Sequence, residues 1–171
     1  MGGGVFIFRS VNLRENEYCI IEVNGLDTRE MFARLIRCEA EGEGDDGMRA
    51  VATTVMNRVH VAYGEYLRTG QGDLRLVIQQ MCQFSCLKTE IGGYPNPQNI
   101  WSMTPRAIDY QIADWAMGGG VFPGVIRDTL WYMNPFNPQC PNFFPYNETG
   151  YWYTRIHQHC FYNPTRAYAD T

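Results

Sequence analysis

Nowhere in the 171-residue sequence do apolar residues run on uninterrupted for the ~20 positions that a membrane-spanning helix needs, which removes that class of protein. Positive charge is also in short supply. Fourteen Lys and Arg stand against eighteen Asp and Glu, a net charge of −4, so no electrostatic excess points to nucleic acid or an anionic membrane as partner. The six cysteines include no C-x-x-C pair: Cys82 and Cys86 are separated by three residues, while Cys19, Cys38, Cys140 and Cys160 stand alone. That spacing lacks the knuckles of a structural zinc site. No acidic calcium loop, internal repeat or low-complexity segment is present. The opening "MGGGVFIFRSVNLREN" has neither the basic start nor the small-residue cleavage site of a secretory signal. The expectation is therefore a chain made in a cytoplasm without a signal peptide. Its cysteines are expected as reduced, buried thiols in preference to disulfides or metal ligands.

What is present is enough apolar sequence for one domain with a sizeable core. Residues 5–10 and 17–23 are short, β-branched or aromatic, and read as a hairpin within an N-terminal extension, residues 1–26. The remainder, 27–171, forms the main domain. Asp27 and Glu30 have capping-box spacing, and Met31, Phe32, Leu35, Ile36 and Glu39 continue at helical period until Gly42. A second helix carries Met48, Val51, Ala52, Val55, Met56 and Val59 on one stripe, after Asp45 and Asp46 at its N-terminus. Residues 73–81 give a third, shorter helix. Thr104 and Pro105 open a fourth, which "GGG" at 118–120 stops. "DTLWYM" and "YWYTRI" read as strands joined by a loop rich in proline and asparagine. Aromatic residues thicken toward the C-terminus; carbohydrate stacking and ordinary strand packing both explain this, and packing is favoured.

The stretch "EAEGEG" sets Glu39, Glu41 and Glu43 at alternate positions directly after a helical run. On a helix, Glu39 falls on the apolar stripe of Phe32, Leu35 and Ile36, whereas Glu41 is rotated by about 200° toward solvent and Glu43 lies beyond the helix end. A carboxyl group that ends a buried stripe at a helix C-terminus is opposed by desolvation and by the helix dipole, and both raise its pKa. Glu39 is the glutamate suited to hold a proton near neutrality, as the general acid of glycoside cleavage must. The plainer alternative is a glutamate at a frayed end pointing into water.

"ARLIRCEAEGEGDDGM…VMNRV", "RLVIQQM", "LWYMNP…CP" and "HCFYNPT" together resemble the CwlJ/SleB family of cell-wall hydrolases, the spore cortex-lytic enzymes, most closely its CwlJ branch. The resemblance runs in order over roughly residues 30–166. It implies an α+β, mainly helical, lysozyme-like fold, similar to lytic transglycosylases, with a small β region. Glu39 falls on the family's first glutamate, with Cys38 in place of the usual alanine, and Glu43 on its second. Asn57 and Arg58 match its "NR", Tyr132 and Asn134 its aromatic-Asn-Pro segment, and His159 and Phe161 its closing H-x-F. Gln83 and Phe84 correspond loosely to a cleft-wall loop.

The function implied is cleavage of peptidoglycan glycan strands between N-acetylmuramic acid and N-acetylglucosamine during spore germination. Glu39 serves as the catalytic acid and base, and Glu43, Gln83, Phe84, Tyr132 and Asn134 lie toward substrate. Asn57, Arg58, His159 and Phe161 act as supports. One carboxyl group in two protonation states suffices for a lytic transglycosylase, so no partner carboxylate at the ~5 Å of a retaining hydrolase is required. The resemblance further implies a location at the boundary of spore coat and cortex, after synthesis in the mother-cell cytoplasm, and a coat partner protein. It implies no required cofactor or metal, with calcium dipicolinate as a regulator. Three other readings remain: a Cys/His cell-wall peptidase using His60, His157 or His159; a coat structural protein with little turnover; and a zinc protein on Cys82, Cys86, Cys140 and His157 or His159.

Overall fold

The computed structural model describes residues 23–80 and 85–171, so the hairpin read at 5–10 and 17–23, apart from Val23, and the cleft-wall residues Gln83 and Phe84 lie outside the described residues. Helix α1 (Thr28–Ala40) begins where its sequence signal puts it: the Asp27 side chain accepts from the Glu30 amide at 2.7 Å. Its inner stripe, Phe32, Leu35 and Ile36, is fully buried. Helix α2 (Gly44–His60) is buried along most of its length and packs beside α1, and α5 (Ala107–Met117) lies across both. Between α1 and α2 the chain turns on Gly42 and Gly44, at φ +89° and +71°. Those left-handed positions, which side chains disfavour, explain the alternation of "EGEG" as a tight interhelical turn with Glu43 held between two glycines.

Three short helices complete the helical part: α3 (Gly64–Gly70), α4 (Leu74–Ile78) and α6 (Arg166–Ala169). Helix α4 is the third helix expected at 73–81, capped by Asp73, whose side chain accepts from Leu76 N at 2.9 Å. Helices α3 and α6 carry no amphipathic stripe long enough to reveal them. The start of α5 differs from the expected Thr104–Pro105 opening. Arg106 is the N-cap, and Asp109 accepts from the Arg106 amide at 2.7 Å and from its guanidinium at 3.0 Å, a reciprocal cap that places the boundary after the proline.

The β region comprises a two-residue ribbon, β1 (Glu90–Ile91) with β2 (Tyr94–Pro95), and a three-stranded antiparallel sheet in the order β3–β5–β4. Strand β3 is Trp131–Met133, β4 is Gly150–Ile156 and β5 is His159–Pro164. The two segments read as strands are therefore not neighbours: β5, taken from the sequence as a terminal motif, lies between them. Cross-strand register aligns Tyr132 with Phe161, and Trp131 with Tyr162. Alternation then sends Tyr132 and Phe161 into the helical core and Trp131, Cys160 and Tyr162 to the opposite face, against Tyr66 and Tyr168. The C-terminal aromatics thus divide. These pack, whereas Phe143, Tyr146, Tyr151, Trp152 and Tyr153 keep 39–47% of their surface exposed.

The cysteines correct the expectation of reduced thiols. Cys38 is joined to Cys86, 48 residues away, and Cys140 to Cys160, 20 residues away. Spacing alone could not show this, because each pair is formed by separate elements meeting in space.

Candidate active site

Glu39 occupies the last turn of α1, at the edge of the apolar stripe that its sequence position continues. The residue is partly buried overall, but its carboxyl end is enclosed: Oε1 is shut off from solvent with no hydrogen-bond partner, while Oε2 accepts from the Tyr132 hydroxyl at 3.2 Å. Burial pushes this carboxyl from its ordinary 4.5 up to about 7. The Tyr132 hydroxyl, the Arg58 guanidinium and the nearby Cys86 backbone pull the other way and are outweighed. Glu39 can therefore give a proton near neutrality and take one back. Glu41 is on the solvent side, within 3.4 Å of Arg37.

Strand β3 brings Tyr132 to Glu39 because the sheet stands its ring on the apolar floor below. The ring meets His159 edge-on at 5.5 Å and Phe161 at 6.2 Å between centroids, and Phe161 is fully buried. Burial and the adjacent Glu39 raise the phenol pKa well above its ordinary value, so Tyr132 remains a donor. Arg58 lies behind it, its guanidinium 5.6 Å from the Tyr132 ring and 5.1 Å from the Tyr66 ring, with Nε donating to Leu130 O at 2.6 Å. Neighbouring Asn57 donates from Nδ2 to the carbonyls of Ile126 and Thr129, each at 2.9 Å, which anchors the segment leading into β3.

Glu43 is buried, and its Oε2 accepts from the Gln158 amide at 3.0 Å and lies 3.4 Å from His159 Nδ1. Burial lowers the His159 pKa while Glu43 opposes that shift. Asn134 is half-buried: Nδ2 donates to Gln158 Oε1 at 3.2 Å and Oδ1 accepts from Phe136 N at 2.8 Å. Gln158 thus links Glu43 to Asn134 across the β4–β5 turn. The sequence does not reveal it, because the residues that follow it, now β5, lack the alternation that would mark His157–Gln158 as a hairpin turn. The structure brings Glu39, Tyr132, Arg58, His159 and Phe161 into one cluster, with Glu43 and Asn134 joined beside it. Asn57 faces the other way and helps line a cavity of about 440 Å³ to which Glu39, Tyr132 and Asn134 do not contribute.

The disulfides bear on the rival readings. Cys86 and Cys140 belong to different bridges, so they are not joint ligands of the zinc set considered above, and none of the four bridged sulfurs is a free nucleophile. Among the described residues no group of three or more His, Cys, Asp or Glu is placed to hold a metal. No helix among them is long and apolar enough to cross a membrane.

Residues 42–162 match the family described as Cell Wall Hydrolase, and the chain belongs to that family. It is an enzyme of cell-wall cleavage. The protein is 30% identical over 141 residues to the cell wall hydrolase CwlJ of Halalkalibacterium halodurans, covering 81% of this chain and 86% of the relative. It is 29% identical over 137 residues to CwlJ of Bacillus subtilis, covering 80% and 84%. The fold is similar to the catalytic domain of the germination-specific lytic transglycosylase SleB from Bacillus anthracis, with a TM-score of 0.57 and 21% identity over 83% of this chain and all of that one. The likeness bears out the mainly helical α+β, lysozyme-like fold. The family match begins just after Glu39, so the role of Glu39 rests on its geometry.

Proposed function

We propose that the protein cleaves the glycan strands of spore-cortex peptidoglycan during germination, by lytic transglycosylation with Glu39 as its single acid and base. The observation that carries this reading is the enclosed Glu39 carboxyl, pushed up to about 7, with the Tyr132 hydroxyl donating to it and the Cys86 backbone close by. The names of its relatives, cell wall hydrolase CwlJ and the lytic transglycosylase SleB, support the substrate class.

Protonated Glu39 gives its proton to the oxygen linking N-acetylmuramic acid to N-acetylglucosamine, and the bond to the muramoyl anomeric carbon breaks. The resulting carboxylate takes the proton of the muramoyl 6-hydroxyl as that oxygen attacks the same carbon and closes an anhydro ring. Atoms and charge balance, and Glu39 ends protonated for the next turn. In this scheme Tyr132 steadies the carboxylate, and Asn134, with Gln83 and Phe84, contacts sugar. Glu43 secures the turn that positions Asn134. The same reading places the enzyme at the coat–cortex boundary with a coat partner, needing no cofactor and subject to calcium dipicolinate as regulator.

Mass spectrometry of muropeptides released from purified cortex by the wild type and by Glu39→Gln tests the proposal. Anhydro-muramic ends that disappear in the variant are the expected result. Reducing ends in their place would turn the reaction into hydrolysis, and release undiminished by Glu39→Gln would remove Glu39 from the mechanism.

A further inference from the structure

Glu39 Oε1 is shut off from solvent without a hydrogen-bond partner, a costly state that persists only where its cover is held in place. Part of that cover is the 3₁₀ turn Ser85–Leu87, whose Cys86 backbone acts on the Glu39 carboxyl. Cys38, the residue before Glu39, is bonded to Cys86, and both are buried.

Residues 85–101 are tied largely to themselves. Asn96 Nδ2 donates to the carbonyls of Ser85, Lys88 and Gln98, and the Asn96 amide donates to Thr89 O at 2.7 Å. Buried Leu87 and Ile100 join the core that α1 shares, Gln98 O lies 3.2 Å from Cys38 Sγ, and two further links fasten the segment to α1. Arg34 donates to Ile100 O at 3.0 Å and Trp101 O at 3.2 Å, and the disulfide fastens the opposite end directly beside Glu39.

We propose that the Cys38–Cys86 disulfide is a positioning element of the active site, which holds the Ser85–Leu87 turn over Glu39 and keeps its carboxyl dry. This inference deepens the reading of Glu39 as the acid and rests on it. Without the bridge the turn lifts, water reaches Oε1, and the carboxyl reverts toward ordinary acidity. The Cys140–Cys160 bridge, on the far face of the sheet, lacks this effect.

The test compares wild type, Cys38→Ala/Cys86→Ala and Cys140→Ala/Cys160→Ala. Peptide mapping of the unreduced wild type must first recover a Cys38–Cys86 peptide; free thiols at both positions would overturn the proposal. Carbon-13 NMR then follows the Glu39 carboxyl through a pH titration, and cortex release is measured over the same range. In Cys38→Ala/Cys86→Ala the Glu39 midpoint moves down by about one unit or more, and release above pH 7 falls about tenfold in step with the lost protonated fraction. The other double variant keeps the wild-type midpoint. If removing Cys38–Cys86 leaves the midpoint unmoved, the bridge is structural only and the proposal fails. Should that variant not fold, Cys140→Ala/Cys160→Ala protein with and without dithiothreitol, its fold confirmed by circular dichroism, supplies the comparison, because Cys38–Cys86 is then the bridge that reduction removes. Failure of the Glu39 reading is separable, because it shows as activity retained in Glu39→Gln, whereas the NMR midpoint judges the disulfide without reference to activity.

Discussion

The Tyr132 hydroxyl donates to Glu39 Oε2 across 3.2 Å, joining residues 93 positions apart in sequence and drawn from a helix and a strand. The bond stabilises the carboxylate against the proton, so it holds down a pKa that burial raises. Tyr132→Phe keeps the ring on His159 and Phe161 but removes the donor. The midpoint of Glu39 is expected to rise by about one unit, the scale of one hydrogen bond to a charged group. The alkaline limb of the rate profile should then move to higher pH. A limb that moved to lower pH would contradict the assignment.

Glu39 is also expected to reduce stability when ionised. Its folded-state pKa, about 7, exceeds its ordinary 4.5, so the native state binds the proton more tightly than the unfolded chain does. The stabilising effect of that proton is complete below pH 4.5 and lost as pH rises through 7. Glu39→Gln removes the ionisation altogether. Denaturant melts should show the variant gaining on the wild type between pH 4.5 and 8, by up to about 3 kcal/mol. Equal pH dependence in the two proteins would mean that the carboxyl is hydrated.

The Cys140–Cys160 bridge fastens the loop after β3 to strand β5, beside the bond from the Tyr162 hydroxyl to Pro141 O at 2.7 Å. Its removal as Cys140→Ala/Cys160→Ala is expected to lower unfolding free energy by about 2–4 kcal/mol, as for a loop of this size. Calorimetry with and without reductant checks it: the variant should melt lower than the oxidised wild type.

Much of this arrangement could be read from residue order, and the parts that could not share a physical cause. The stripe Phe32, Leu35, Ile36, Glu39 fixed which glutamate faces inward, because a helix translates spacing into direction. Glycines at 42 and 44 explain an alternation that resembles a strand. By contrast, the pairing of Cys38 with Cys86 depends on where a 3₁₀ turn settles against α1, and no local spacing encodes it. Strand β5 was hidden because "HCFYNP" ends in Asn-Pro and is buried at every residue but the last, which erases the polar-apolar alternation of a one-sided strand. The role of Gln158 emerges only once β4 and β5 form a hairpin and its amide is directed at Glu43.

Glu43 supports the last prediction. Its position at the N-terminus of α2 suits a negative charge, and its Oε2 is the acceptor for Gln158 N, with His159 Nδ1 3.4 Å away. Glu43→Ala removes the charged acceptor of the amide of Gln158, an exposed turn residue, and opens space between the two glycine turns, with an expected loss of about 1.5–2 kcal/mol. Glu43→Gln retains an acceptor for Gln158 and should lose only about half as much, while the His159 pKa falls further as the opposing charge disappears. Because Gln158 also holds Asn134, Glu43→Ala should raise KM for cortex fragments more than it lowers kcat, and Glu43→Gln should recover most of that KM. A direct sugar contact through the charged carboxylate predicts the reverse: Glu43→Gln would be as impaired in KM as Glu43→Ala, with stability unchanged. Thermal melts and steady-state kinetics on the two variants separate these outcomes.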